Sequence, residues 1–180
     1  MLEEIIISGF GGQGVMLAGQ LLIRAGMEEG LEVSWIPSYG PEMRGGTANC
    51  SVVLSDEPIG SPVVSEPSAV LAMNLPSFEK YLPLTQKGGL FIYNSSLMDE
   101  APGRGDLEML GVPATEIADG LGSGRAANMV MLGALLARKP LVKPESIIAA
   151  LAATLPAHRQ NLLPLNEKAL KAGAEFAEAR

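Results

Sequence analysis

The segment "EEIIISGFGGQGVMLAGQLL" (3–22) constrains the fold of this chain more than any other. An isoleucine-rich run ends in glycines, and an apolar helical pattern begins directly behind them. Residues 3–10 are predicted as a buried strand. Residues 13–30 are predicted as a helix closing at Gly30, with Val15, Ala18, Leu22 and Ala25 at helical spacing and Leu17 and Leu21 widening the face. "LEVSWIP" (31–37) reads as a second strand. Strand, glycine turn, helix and strand together form the opening unit of a doubly wound parallel sheet.

Within the turn, Gly9, Gly11 and Gly14 satisfy G-x-G-x-x-G, with Gly12 an extra glycine and Gln13 beside it. Such glycines allow a tight turn, a close approach of a diphosphate to the backbone, and close packing of helix on strand. The helix behind them aims free N–H groups and the positive end of its dipole at an anion. A site for NAD or FAD also needs an acid at the end of the second strand, to hold the ribose. Here that strand ends "SWIPSYG"; Glu32 comes too early and Glu42 lies beyond the turn. Three readings stay open: a phosphate-binding turn, a dinucleotide site without its ribose acid, and a turn that only permits close packing. The expected architecture is α/β, Rossmann-like and doubly wound, with a mainly parallel sheet, in a single domain over 1–180.

"SYGPEMRGGTANC" (38–50) is the second unusual stretch. It gathers Tyr39, Glu42, Arg44, Gly45 and Gly46 in the loop after the second strand. Loops that follow strands share one edge of a doubly wound sheet, so this loop is expected near the glycine turn. Arg44 is suited to a forked pair with a phosphate or carboxylate, and the glycines admit a close backbone. The competing reading pairs Glu42 with Arg44, or either with a neighbouring chain.

The rest of the chain reads as strands at 47–55, 68–74 and 87–96, a short helix at 75–83 and a polar loop at 99–106. A short edge strand and loop are expected over 111–122, then helices at 125–139, 144–155 and 162–179. Asn94 and Ser95 end a strand on the ligand edge, as ligand contacts or as caps. Gly120, Gly122, Gly124 and Arg125 precede a helix and form a second candidate anion turn. Helix 125–139 is apolar around its circumference, so the sheet, other helices or another chain must cover it. A homodimer or hetero-complex with an interface of roughly 1,600 Å² is expected from that surplus. Trp35 is read as core, Cys50 as an inert buried thiol and His158 as a surface residue.

Composition narrows the chemistry. One cysteine excludes an internal disulfide and an all-cysteine iron–sulfur cluster held by this chain alone. One histidine argues against a zinc site or a Ser–His–Asp triad. A net charge of −7 with no Lys/Arg cluster argues against nucleic-acid binding. The longest uncharged apolar stretch, 126–137, is too short to cross a bilayer. The first residues run straight into a strand without a basic or apolar leader, so a cytoplasmic protein without a secretory signal is expected. No catalytic and no metal-ligating residue is assigned.

"GFGGQGVMLAGQLL", "SYGPEMRGGTANCSVVLSDEPIGSP" and "NMVMLGALL" together resemble the gamma subunit of 2-oxoacid:ferredoxin oxidoreductases, of the 2-oxoglutarate or 2-ketoisovalerate type. The resemblance covers nearly the whole chain in order. It implies a multisubunit enzyme that decarboxylates a 2-oxoacid on thiamine diphosphate, passes electrons through iron–sulfur clusters to ferredoxin, and hands the acyl group to coenzyme A. Thiamine diphosphate, magnesium and the clusters are then expected in alpha, beta and delta-type partner subunits. The gamma chain, inactive alone, would be structural or would help to place coenzyme A. Gly11, Gly12, Gln13, Tyr39, Glu42, Arg44, Gly45 and Gly46 are the residues the resemblance marks. The rival readings are an independent dinucleotide-binding oxidoreductase and a non-enzymatic nucleotide-sensing or assembly module.

Overall fold

The computed structural model describes residues 1–38, 47–98 and 103–180. A six-stranded sheet carries strands β1 (Leu2–Phe10), β2 (Glu32–Ser38), β3 (Thr47–Ser55), β4 (Ala69–Ala72), β5 (Leu90–Asn94) and β6 (Glu108–Val112) in the order β2-β3-β1-β4-β5-β6. β1, β4, β5 and β6 pair in parallel, whereas β3 runs antiparallel to both β1 and β2. The expected α/β architecture with a mainly parallel sheet is present, with β3 the exception.

The helices are α1 (Val15–Glu28), α2 (Leu75–Tyr81), α3 (Ala114–Gly120), α4 (Ala127–Arg138), α5 (Pro144–Thr154) and α6 (Leu163–Glu178). β1 and β4 lie at the centre and are apolar on both faces, as a strand covered from two sides must be. Ile5 and Ile7 enter the larger core, under α1 and α3–α6. Ile6 enters the smaller core on the other face, where α2 sets Phe78 edge-on to Phe91 with ring centroids 5.0 Å apart.

Two sequence expectations are corrected. The edge strand expected at the start of 111–122 is present but spans Glu108–Val112, and the expected loop is α3, which follows after Pro113. Seven residues are too few for helical periodicity to show, and α3 forms because Ala114 and Ala118 bury on the core while a distant side chain caps it. The second correction concerns α4. Met129, Val130, Met131, Leu132 and Leu135 are fully enclosed, but by this chain's own sheet, α1, α3 and α6. The apolar circumference therefore does not call for a second chain.

Enclosure of α4 depends on two glycines. A Cβ on Gly133 of α4 would overlap the Leu170 carbonyl oxygen of α6, and a Cβ on Gly173 of α6 would overlap the Val130 carbonyl oxygen of α4. The helices thus meet backbone to backbone, and no side-chain adjustment relieves an added methyl. We expect Gly133→Ala and Gly173→Ala each to destabilise the fold by about 3 kcal/mol or more. Gly60→Ala, where nothing stands within 4 Å, should stay within about 0.5 kcal/mol of the parent. Urea unfolding of the three variants measures the difference.

Candidate functional site

The chain leaves β1 for α1 on one face and β2 on one side, then leaves β4 for α2 on the other face and β5 on the other side. The carboxyl ends of β1 and β4 therefore flank the point where the winding reverses, the usual ligand crevice of such sheets. The glycine turn lies there.

Gln13 holds the turn together. Its Oε1 accepts from the Phe10 N–H at 2.7 Å, its Nε2 donates to the Met73 carbonyl at 3.3 Å, and its own N–H donates to the Phe10 carbonyl at 3.2 Å. The turn is tied to β4 as well as to β1. The glycines divide the work. Gly9 is buried, and a Cβ there would stand 2.7 Å from Met73 Cβ and 2.6 Å from Gln13 Oε1, so its part is close packing. Gly11 and Gly12 are exposed, and Gly12 has φ +95° with open space around it. Gly14, with φ +74°, has its carbonyl bonded by the Asn128 amide at 3.2 Å. α1 then begins with no side-chain cap and no acid in its first turn, so its positive end is not neutralised.

A cleft of about 230 Å³ opens beside this turn. Gly12, Gln13 and Met73 form one side; Thr115, Gly124 and Arg125 face them, with Leu97 and Ala127 completing the lining. The two candidate anion turns, separated by more than a hundred residues in sequence, thus share one space. Arg125 is exposed and makes no ion pair among the described residues. Exposed glycine backbone just ahead of α1 and one arginine suit a phosphate or carboxylate. The cleft is smaller than the pockets that take a whole drug-sized ligand, so it fits a phosphate or diphosphate portion.

Other expectations resolve locally. Asn94 caps: its Oδ1 accepts from the N–H groups of Ala114 at 3.1 Å and Ser96 at 3.3 Å, and its Nδ2 donates to Thr115 Oγ1 at 2.9 Å. Trp35 packs against the larger core, and His158 is exposed on the link between α5 and α6. Tyr39, Glu42, Arg44, Gly45 and Gly46 lie outside the described residues. The strand ends that bracket them do not: Thr47 pairs with Phe10, and Ser38 with Asn49, at the edge where the glycine turn opens. Sequence reasoning missed Met73, Leu97, Thr115 and Asn128. Only Asn128 carried a signal, as the one amide in an apolar helix.

The dinucleotide reading loses ground on topology. β3 stands between β1 and β2, so the end of β2 lies about 10 Å from β1. An acid there would be one strand too far even if it were present.

Residues 4–176 match the pyruvate ferredoxin/flavodoxin oxidoreductase family. The chain belongs to this family. The ketoisovalerate oxidoreductase subunit VorA of Methanothermobacter marburgensis is 41% identical over 97% of the chain, which spans only 36% of that protein's length. The 2-oxoglutarate synthase subunit KorC of Methanocaldococcus jannaschii is 37% identical over 93% of the chain and 92% of its own length. The solved gamma subunit of a keto/oxoacid ferredoxin oxidoreductase from Geobacter sulfurreducens is 31% identical, covers 99% of both chains and superposes with a TM-score of 0.85. The resemblance to the gamma type is borne out over the whole fold. No helix among the described residues is long and apolar enough to cross a membrane.

The single cysteine of this family member is buried beneath α1, and burial pushes its thiol from 9.0 up to about 11. The folded chain therefore keeps Cys50 protonated where the unfolded chain ionises it. The unfolded state then binds fewer protons, so stability falls as pH rises from about 9 to about 11. The contribution lost over that window is about 2–3 kcal/mol. Urea unfolding between pH 8 and 11 should show the decline in the parent and a smaller one in Cys50→Ala.

Proposed function

We propose that this chain is the gamma-type module of a 2-oxoacid:ferredoxin oxidoreductase, and that it places coenzyme A through the diphosphate without taking part in bond making. The observation that carries this reading is the cleft shared by the Gly12–Gln13 turn and Arg125. Among the described residues its lining offers anion-binding groups and no thiol, imidazole or carboxylate to act as nucleophile or base. Tyr39, Glu42, Arg44, Gly45 and Gly46 join the proposed coenzyme A contacts, since their bracketing strands end at the same edge. Residues 1–180 act as one gamma-type domain of a cytoplasmic complex.

In this reading the complex releases carbon dioxide from a 2-oxoacid, sends electrons to ferredoxin and gives the acyl group to coenzyme A. Thiamine diphosphate, with magnesium, supplies the carbanion chemistry, and iron–sulfur clusters carry the electrons. The residues present here do not fit those groups: one buried, protonated thiol cannot supply cluster thiolates, and no three His, Cys, Asp or Glu converge among the described residues. Alpha, beta and delta-type subunits are the proposed holders.

The isolated chain should show no 2-oxoacid-dependent reduction of a viologen dye. In the reconstituted complex, Arg125→Ala and Arg44→Ala each remove a charge-assisted contact of roughly 1.5–3 kcal/mol. Each should raise the Michaelis constant for coenzyme A about ten- to hundredfold while the complex elutes intact. The lysine variants should recover part of the loss, since an ammonium makes no forked pair. Intact assembly with unchanged kinetics overturns the placing role, and a dissociated complex reassigns the arginine to a subunit interface. Turnover by the chain alone overturns the subunit reading.

A further inference from the structure

α4 has two ends with different surroundings. Ala127 lines the anion cleft, whereas Arg138 pairs with Glu108 at the start of β6 and Lys139 with Glu3 near the start of β1. The helix therefore runs from the carboxyl edge of the sheet to the opposite edge, a rise of about 16 Å. On its second half lies a groove of about 460 Å³ between α5 and α6. Leu136, Ile148, Leu170 and Ala174 form an apolar floor at Gly133. Gly133, Ala137 and Ala174 leave space open between the larger side chains of that floor.

The rim of this groove is acidic. Glu145, Glu167 and Glu178 are exposed, and none makes an ion pair among the described residues. The one cation on the rim, Lys171, faces Glu175 at 3.7 Å. Three carboxylates are left uncompensated around an apolar floor. We propose that this groove docks an amphipathic helix of a partner protein, its apolar side chains between α5 and α6 and its flanks bearing lysine or arginine. Charge complementarity selects the partner. From Glu167 to Glu178 the groove runs about 16 Å, room for three helical turns. A second copy is disfavoured, because it would set the same carboxylates against each other on a chain of net charge −7. A fatty acid is disfavoured by the same repulsion at its carboxylate. The groove opens at the far end of α4 from the anion cleft, so docking there leaves the cleft free.

The full-length chain is titrated with a fluorescein-labelled 14-residue peptide of leucine and lysine in amphipathic helical order, followed by anisotropy. A leucine–glutamate peptide of the same pattern is the control. The lysine peptide should bind with a dissociation constant on the order of tens of micromolar. The triple reversal Glu145→Lys, Glu167→Lys, Glu178→Lys should weaken it at least tenfold, and so should Ala174→Arg, which fills the floor. A reversal of equal charge elsewhere, Glu57→Lys, Glu66→Lys, Glu79→Lys, should change it less than twofold. Equal losses in the two triple variants, equal binding of the glutamate peptide, or no binding at millimolar concentration overturns the proposal. So does dimerisation of the chain alone that Ala174→Arg abolishes, or displacement of the peptide by a fatty acid. If Ala174→Arg fails to fold, the exposed charge reversals still decide.

Discussion

Contact of α4 with α6, backbone against backbone at Gly133 and Gly173, is the constraint on which the helical face depends. α4 is apolar on every side and can exist in water only when covered on every side. The sheet, α1 and α3 cover part of it, and α6 closes the remainder by approaching nearer than any side chain would allow. That approach also positions the N-terminal end of α4, where Asn128 bonds the Gly14 carbonyl at 3.2 Å. The glycine turn is thus tied to α4 as well as to β1 and β4.

The carboxyl edge concentrates anion-binding groups for a topological reason. Reversal of the winding between β1 and β4 leaves a crevice, and Gln13 bridges it by bonding both strands. The Gly12–Gln13 turn ahead of α1 and Arg125 then line one small space. Such a space is suited to an anion, and among the described residues its lining carries no thiol, imidazole or carboxylate side chain. The proposed placing of a charged carrier by this chain, with the redox groups on other chains, rests on that lining.

Much of the architecture was legible in the sequence, because burial has a period. The isoleucines of β1, the helical stripe of α1 and the apolar circumference of α4 each declare how many faces are covered. α3 was not legible: seven residues contain too few turns for a stripe, and its cap, Asn94, comes from another strand. The place of β3 was not legible either. Its alternation marks a strand but does not name its neighbours, since pairing with both β1 and β2 depends on where the hairpin folds back.

The candidate site divides in the same way. The residue order by itself determined the glycine turn, its helix and the absence of a ribose acid, because these are local: a few adjacent residues set the dihedral angles and the chemistry. It also determined that one cysteine cannot form a disulfide or an all-cysteine iron–sulfur cluster within this chain. Only the tertiary structure decided that Gly9 packs while Gly12 faces solvent, that Asn94 is a cap, and that Arg125 shares a cleft with Gln13. Those outcomes depend on contacts between residues far apart in the chain, where closure of the core, and not local preference, sets which atoms meet.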